Sequence, residues 1–293
     1  MIQLHLVHTA KTVLSQKSIK FYLNKKQQHN YPTHRMEYPM LLFLETIPYI
    51  IIFIFGITIG SFLNVCIYRI PLHQSIITAP SHCMSCGRKL KWYDMVPVFS
   101  WLVLGGKCRN CKAKISVQYP VIEALNGIFY VLVCAVNGLT WVSLIYCLMV
   151  SALLTLSLID WRTYEIPLGI NVFLFILGVI NTVLDRGNLL SHLIGAVCVS
   201  GFLGILYLIS GGSAIGGGDI KLMAACGLIL GWKLIILAFL LACVIGSCVH
   251  LIRMKLKGAD NVLAMGPYLS AGIFIAALWG NAWISWYLSL LGL

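Results

Sequence analysis

Two aspartates in this sequence stand at the ends of apolar stretches, where an ionised side chain is costly. Asp160 closes the run SLID, and Asp219 follows the glycines of GGSAIGGGDIKL. The chain has only nine acidic residues among 293, and an ionisable group at the edge of an apolar segment is a functional hypothesis by default. Two carboxylates that meet in a low-dielectric cleft cannot both ionise, so they share a proton. One can then activate a water molecule while the other protonates a peptide carbonyl, which predicts acid–base hydrolysis without a metal.

Structural explanations for the same two residues remain open at the level of sequence. Asp160 could pair with Arg162, and Asp219 could cap the N-terminus of a helix beside Lys221. The glycines at 216 to 218 would let the backbone approach the carboxylate and a bound peptide closely. A phosphate-binding loop is not favoured, because no Gly-Lys-Ser/Thr sequence follows these glycines.

Four cysteines form a second group with a spacing that suits chemistry. Cys83 and Cys86 make one CxxC pair, and Cys108 and Cys111 make another after 21 intervening residues. Four thiolates at this spacing predict a tetrahedral site, and zinc suits them best. Because four protein ligands leave no open position, the predicted zinc is structural. Two disulfides are the alternative, and a reducing cytosol disfavours them. His82, beside the first pair, is an alternative ligand.

The composition indicates which elements must position these groups. Hydrophobic residues make up 59% of the chain and charged residues 10%, whereas a soluble domain has roughly 25% charged residues. The formal net charge of +12 comes from a few basic clusters between long apolar stretches. This pattern is typical of loops between membrane spans and not of a nucleic-acid surface. The seven cysteines that stand singly in apolar runs are predicted to be buried, small hydrophobic residues.

The apolar runs predict an all-α polytopic membrane protein with about eight transmembrane helices. They extend over residues 44–67, 120–137, 139–159, 167–184, 189–210, 220–231, 232–252 and 267–291. The sixth run is short of the roughly 20 residues that a crossing helix needs. It could instead be a half-helix that follows the glycine loop and lines a polar cavity.

The predicted organisation has four parts. Residues 1–35 are a basic extension, 36–68 contain the first transmembrane helix, 69–119 form the zinc module, and 120–293 form a multi-span domain with both aspartates. Translation is predicted to start at Met36 or Met40; the alternative is a genuine extension. Basic residues concentrate in the loop of the zinc module, which is therefore predicted to be cytoplasmic. Alternation of the spans then puts Asp160 and Asp219 at the cytoplasmic membrane edge.

Five motifs in order resemble those of the type IV prepilin peptidase family. They are GSFLNVCIYRIP at 60–71 with the two CxxC pairs, PVFSW at 97–101, ISVQYPVIEALNG at 115–127, the Asp160 segment, and GGGDIKLMAACGLILGW from Gly216. The resemblance implies that Asp160 and Asp219 are the catalytic aspartates of a GxGD-type membrane protease. It further implies removal of a basic leader from prepilins or pseudopilins, methylation of the new N-terminus with S-adenosylmethionine as donor, and a location in the bacterial cytoplasmic membrane. GSFLNV and Glu123 resemble positions linked to methylation, whereas Cys66 replaces an expected aliphatic residue. Glu123 could equally be a helix-end acid.

Two other hypotheses come from different classes of protein. An ion-coupled transporter would use the two aspartates as a proton relay, with the glycine run marking a broken helix. A membrane scaffold would dock partners on the zinc module and would leave both aspartates unexplained. If one aspartate proved dispensable, Glu123 and Glu165 would be the next candidates for an acid–base partner.

Overall fold

The computed structural model describes residues 37–78, 80–213, 215–257 and 263–292, and apart from two isolated β-bridges the regular structure of these residues is helical. We number its α-helices α1 to α9 in chain order. They are α1 (Glu37–Arg69), α2 (Phe99–Val103), α3 (Gln118–Asn137), α4 (Trp141–Thr163), α5 (Leu168–Leu184), α6 (Leu189–Ile209), α7 (Gly217–Leu230), α8 (Trp232–Lys257) and α9 (Gly266–Leu290). The basic extension predicted over residues 1–35 lies outside the described residues.

Each of the eight predicted apolar runs corresponds to one long helix. Six of the helices are long and apolar enough to cross a membrane, and α5 is a shorter apolar helix of 17 residues. The sixth run is α7, which has 14 residues and so extends about 21 Å at 1.5 Å per residue. A hydrocarbon core is about 30 Å thick. The all-α membrane architecture is therefore confirmed. The sixth segment forms a helix that is too short to cross the hydrocarbon core, as its sequence indicated.

Other helices enclose α7, so it does not need to cross lipid by itself. A Cβ atom on Gly195 of α6 would lie 2.4 Å from the carbonyl oxygen of Gly227 in α7. On the other side, a Cβ atom on Gly178 of α5 would lie 2.6 Å from Cβ of Leu228. Small residues at such crossings let two backbones approach closely. The Asn181 amide also donates to the carbonyl of Ile229 in α7, at 2.9 Å.

The second enclosed helix is α4, which packs against α3, α5 and α9. Of the six candidate spans it is the most buried, with 67% of its apolar window inside the protein. Asp160 and Asp219 thus stand at the ends of two helices that other helices enclose. A carboxylate can be held in a fixed position there because protein surrounds its helix on several sides.

The loop module of residues 70–117 has almost no regular structure. Its two cysteine hairpins each contain one isolated antiparallel bridge, between His82 and Lys89 and between Lys107 and Lys114. Trp101 of the short helix α2 donates its indole N–H to the carbonyl of Ile115, at 3.2 Å. A module of this size has little apolar core, so a metal would be its natural source of stability.

The prediction for the seven single cysteines is partly wrong. Cys66, Cys134, Cys147 and Cys226 are buried, whereas Cys198 and Cys243 are partly exposed and Cys248 is exposed. The reason is that an apolar residue in a membrane helix can face lipid as well as the protein interior. Apolar character alone does not tell the two environments apart.

Candidate active site and cysteine cluster

Asp160 lies in the last turn of α4, and its side chain points into the protein. Helix α4 ends at Thr163 because Tyr164 adopts a left-handed conformation, with φ of 57°, and donates its N–H to the carbonyl of Asp160. Asp160 is only 5% exposed. Its Oδ2 accepts a hydrogen bond of 2.8 Å from the backbone N–H of Gly266.

Gly266 is a site residue that sequence reasoning missed. It is the first residue of α9, so its N–H belongs to a helix N-terminus, where the helix dipole favours negative charge. A Cβ atom at this position would lie 2.7 Å from Oδ2 of Asp160. Any residue other than glycine would therefore displace the carboxylate. The signal available in the sequence was a Gly-Pro pair at the start of an apolar run, which marks a helix start.

Asp219 lies in the first turn of α7, directly after the glycine loop. The last glycine of the loop, Gly218, packs so closely on Ile166 that an added Cβ would lie 2.8 Å from the isoleucine Cβ. The amide of Asn171 donates to the carbonyl of Gly218, at 3.3 Å. These two contacts come from the segment that leads into α5 and from the first turn of α5, so this part of the chain fixes the position of the loop. The Oδ1 atom of Asp219 is buried and has no hydrogen-bond partner among the described residues.

The electrostatics of Asp219 depend on Asp160. The pKa of Asp219 is raised to about 6, mainly by burial and then by the charge of Asp160, while the backbone N–H of Gly216 acts in the opposite direction. The two residues are 59 positions apart, so the fold is what brings their charges within range of one another. The carboxylates thus form an electrostatically coupled pair.

Both alternative roles that the sequence left open, an ion pair of Asp160 with Arg162 and an N-cap role for Asp219, are wrong. Arg162 donates to the side-chain oxygen of Gln118 at the start of α3, while Asp160 accepts from Gly266. The N-cap of α7 is Gly216, and Asp219 is the third residue of that helix. Asp160 thus has no ion pair with Arg162 among the described residues, whereas Asp219 keeps one contact typical of a helix start, with the backbone N–H of the N-cap residue Gly216.

Residues next to Asp160 tie the end of α4 to other helices. The guanidinium of Arg253 in α8 lies 5.2 Å from the ring centroid of Trp161, and the Arg162–Gln118 bond reaches α3. We call this end of the bundle, where α4 ends and α3, α5, α7 and α9 begin, the aspartate end. Glu165 is exposed there, and no contact joins it to the pair among the described residues.

Glu123, the other candidate acid, has a different partner. It is buried in α3, and its Oε2 accepts the backbone N–H of Val98 from the loop module, at 2.6 Å. Helices α1 and α3 are in close contact beside it, since a Cβ atom on Gly60 would lie 2.7 Å from Cα of Glu123. Glu123 therefore connects the module to the bundle, and it takes no part in the aspartate pair.

The structure brings the four cysteines of the two CxxC pairs together. Their Sγ atoms all lie within 4.8 Å of one another, and those of Cys83 and Cys111 are 3.8 Å apart. All four are free thiols. Sulfur atoms on a tetrahedral zinc are about 3.8 Å apart when each Zn–S bond is about 2.3 Å. The cluster could therefore hold a metal ion.

Backbone N–H groups favour the thiolate form of three of these cysteines. Hydrogen bonds from the N–H groups of Cys86 and Ser85 lower the pKa of Cys83, and those of Cys111 and Asn110 lower the pKa of Cys108. The N–H of Arg88 lowers the pKa of Cys86. At Cys111 the N–H of Ala113 acts in the same direction, but desolvation and the other thiols raise its pKa to about 11. A bound cation would offset this mutual repulsion.

Comparison with known proteins agrees with this geometry. Residues 54–137 match the bacterial peptidase A24 N-terminal domain, and residues 147–251 match the type IV leader peptidase family. The chain is similar to proteins named prepilin leader peptidase/N-methyltransferase. One from Aeromonas salmonicida is 30% identical over 271 residues, which are 82% of this chain and 93% of the relative. One from Pseudomonas aeruginosa is 29% identical over 87% of this chain and 99% of the relative.

A third relative with the same name, from Myxococcus xanthus, is 33% identical over 71% of this chain and 64% of the relative. No solved structure matches the chain. The transporter hypothesis has no support from these similarities. The two matched segments together contain Glu123, the four clustered cysteines, Asp160 and Asp219. The chain belongs to the type IV leader peptidase family.

Proposed function

We propose that this chain removes the leader from prepilins or pseudopilins at the membrane surface, with Asp160 and Asp219 as its catalytic pair. Family membership supports the reaction and the class of substrate. The observation that carries the choice of residues is the electrostatic coupling of the two carboxylates, which stand at the ends of two enclosed helices. No metal is needed for the hydrolysis, since one carboxylate can accept a proton while the other donates one.

The surroundings of the two aspartates support a different role for each. Asp160 accepts the N–H of Gly266 at a helix N-terminus, and this hydrogen bond stabilises its ionised form. Asp219 has an unpartnered Oδ1, and its pKa is raised to about 6. Asp160 is therefore the base that takes a proton from the attacking water. Asp219 is the acid that donates its proton to the carbonyl oxygen of the scissile bond.

The glycine loop leaves room for the substrate backbone beside Asp219. A Cβ atom on Gly217 would meet nothing within 4 Å, and both Gly216 and Gly217 are exposed. An extended peptide could therefore lie against this loop with its carbonyl close to Asp219. The apolar helix that follows the leader would enter sideways from lipid, which predicts that a leader peptide lacking that helix is cut more slowly.

The name shared by the relatives also includes N-methyltransferase, and we propose that this chain methylates the N-terminus that cleavage exposes. S-adenosylmethionine, the donor implied by family resemblance, would supply the methyl group. The sequence has no glycine-rich Rossmann turn for such a donor. Glu123 is engaged by Val98, so we assign no residue to the donor site.

We propose that the cysteine cluster binds one zinc ion with a structural role. Cys83, Cys86, Cys108 and Cys111 would each supply one thiolate, and no position would remain for a water ligand. The ion would hold the two hairpins of the module together. Through the Val98–Glu123 bond, the module would in turn be fixed to α1 and α3.

We propose that the aspartate end faces the cytoplasm. Basic residues at this end and in its attached loop are Arg69, Arg88, Lys89, Lys91, Lys107, Arg109, Lys112, Lys114, Arg162, Lys221, Arg253 and Lys255. Connections at the opposite end contain Arg186 and Lys233. Short loops rich in Lys and Arg stay on the cytoplasmic side of a membrane. Reaction of engineered tags in the module with an impermeant reagent on intact cells would contradict this sidedness.

Leader cleavage tests the catalytic pair directly. Membranes with matched amounts of wild type, Asp160→Asn or Asp219→Asn protein are incubated with a prepilin, and the processed product is quantified. Each substitution should reduce cleavage by at least about 1,000-fold, because the residual amide can neither accept nor donate the required proton. Glu165→Gln is the matched control, since Glu165 is an exposed acid at the same end. Near-normal cleavage by either Asp variant would make that aspartate structural.

A further inference from the structure

The short helix α2 presents apolar side chains that the described part of the protein leaves uncovered. Phe99 and Leu102 are each 59% exposed, and Val103 is 82% exposed. Met95 and Val96, just before the helix, are exposed too. In water such a cluster would be unfavourable in a module that has little apolar core of its own. We call these five residues the α2 patch.

One contact determines where the α2 patch lies along the membrane normal. The backbone N–H of Val98, the residue before α2, donates to the buried carboxylate of Glu123 at 2.6 Å. Glu123 is the sixth residue of α3, so its Cα lies about 7.5 Å along the helix from Gln118. Helix α3 has 20 residues and is about 30 Å long, which is the thickness of the hydrocarbon core. Little of α3 can therefore extend beyond the membrane, and Val98 lies at the edge of the apolar layer.

The backbone at Val98 indicates that this contact holds α2 firmly. Val98 has φ of 61°, which is rare for a β-branched residue. It is the centre of a tight turn, in which the N–H of Phe99 donates to the carbonyl of Pro97 at 2.6 Å. Such a conformation persists only when its surroundings impose it. The hydrogen bond to Glu123 and the Trp101–Ile115 bond supply that constraint on either side.

Charge around the α2 patch favours an anionic surface as its partner. Between residues 70 and 117 the only acidic residue is Asp94, which pairs with Arg109 at 2.8 Å. The basic residues of the same stretch are all exposed, and they are Arg88, Lys89, Lys91, Lys107, Arg109, Lys112 and Lys114. Apolar side chains at the edge of the hydrocarbon with cations beside them are the pattern of a segment that lies in a membrane interface.

We propose that the α2 patch inserts into the bilayer interface at the aspartate end, with the basic residues of the module on anionic lipid headgroups. The module is then a membrane-resting element, anchored by lipid on its apolar side and by Glu123 on its other side. This inference requires only that α3 crosses the membrane, and it is independent of the peptidase reaction.

Fluorescence quenching in lipid nanodiscs tests the proposal with the full-length protein. A genetically encoded fluorescent amino acid replaces Val103, whose exposed side chain tolerates substitution, and a second variant has it at the exposed Lys91 of the same module. Lipids brominated near the headgroup end of the acyl chain should reduce emission at position 103 at least twofold. Iodide in the water should quench position 103 at least five times less than position 91. Retained metal content shows that each variant is folded.

Each other outcome contradicts a defined part of the proposal. If iodide quenches position 103 as strongly as position 91 and brominated lipid has no effect, the patch faces water. If neither quencher acts, protein covers the patch, as in a dimer or a complex, and the lipid assignment is wrong. Discs with one quarter phosphatidylglycerol should give stronger bromine quenching than neutral phosphatidylcholine discs. Equal quenching in the two kinds of disc would contradict the assignment of the basic residues to anionic headgroups.

Discussion

The cysteine cluster is assembled from residues that are close together in the sequence, whereas the aspartate pair is assembled from residues that are far apart. All four cysteines lie within residues 83–111, and the backbone N–H groups that favour their thiolates come from residues at most three positions away. Asp160 instead receives its hydrogen bond from Gly266, 106 positions later, and Asp219 depends on contacts from α5. The cluster is encoded locally, whereas the pair exists only when α4, α5, α7 and α9 are packed together.

The two sites also differ in how well their negative charges are stabilised. Local N–H groups and a metal can satisfy thiolates, so the cluster is stable when it is ionised. The aspartate pair has fewer partners than its oxygens could use, since Oδ1 of Asp219 has none. Incomplete satisfaction is costly for a buried carboxylate, and in the proposed mechanism it keeps a proton available for transfer.

The largest expected effect comes from the cluster. Cys108→Ser should abolish stoichiometric zinc binding and reduce the free energy of unfolding by several kcal/mol, on the order of 3 or more, because one of four thiolates is lost. Metal content of the purified protein and thermal unfolding in detergent measure both effects. Cys226→Ser, in the buried core of α7, is the control for loss of a thiol outside the cluster. Full zinc content in Cys108→Ser would contradict a four-thiolate site.

Gly266→Ala should have the next largest effect. It tests whether a residue that is distant in the sequence positions Asp160. The new methyl group would lie 2.7 Å from Oδ2 of Asp160, so the carboxylate must move out of its position. We expect leader cleavage to fall by about 100-fold, as happens when a catalytic group is misplaced by about 1 Å. Zinc content should not change. Gly169→Ala is the matched control, because a Cβ there meets nothing within 4 Å; if both variants cleave equally well, Gly266 does not hold Asp160.

The sequence predicted the local features better than the long-range ones, for a physical reason. The CxxC spacing by itself defines a hairpin with converging thiols, and apolar runs define helices because each must satisfy its backbone within the membrane. The partnership of Gly266 with Asp160 depends on how α9 crosses α4, and a single sequence does not encode that crossing in any short pattern. Glu123 is similar, since its partner Val98 lies in a loop with no periodicity.

Asp219→Asn should stabilise the fold while it abolishes cleavage. The folded-state pKa of Asp219 is about 6, against an unfolded value of about 3.9. A raised carboxyl pKa means that stability is highest below the unfolded value and is lost as pH rises through about 6. At pH 7 the variant should therefore be more stable than wild type by about 3 kcal/mol, and the difference should shrink toward pH 4. Thermal unfolding of both proteins across this range measures it.

A lower melting temperature for Asp219→Asn at pH 7 would contradict the argument, since it would mean that the wild-type carboxylate is well satisfied. Leu222→Ala, one turn further along α7 and fully buried, is a useful contrast. It should destabilise the protein at every pH, because it removes packing and no ionisable group.

The smallest expected effect, opposite in sign, comes from the other end of the bundle. Asp185 is a locally satisfied carboxylate: Asn188 donates to both of its oxygens, and Nε2 of His192 lies 3.3 Å from Oδ2. Hydrogen bonds from Asn188, and then from His192, lower the pKa of Asp185, so its stabilisation is present at neutral pH and is lost as pH falls below about 4. Because the side chain is 42% exposed, Asp185→Asn should cost less than about 1 kcal/mol at pH 7. Thermal unfolding at pH 7 and pH 3.5 measures this cost, and leader cleavage should be unchanged. A gain in stability at pH 7, as expected for Asp219→Asn, would show that hydrogen bonds from neighbouring residues do not explain the difference between the two carboxylates.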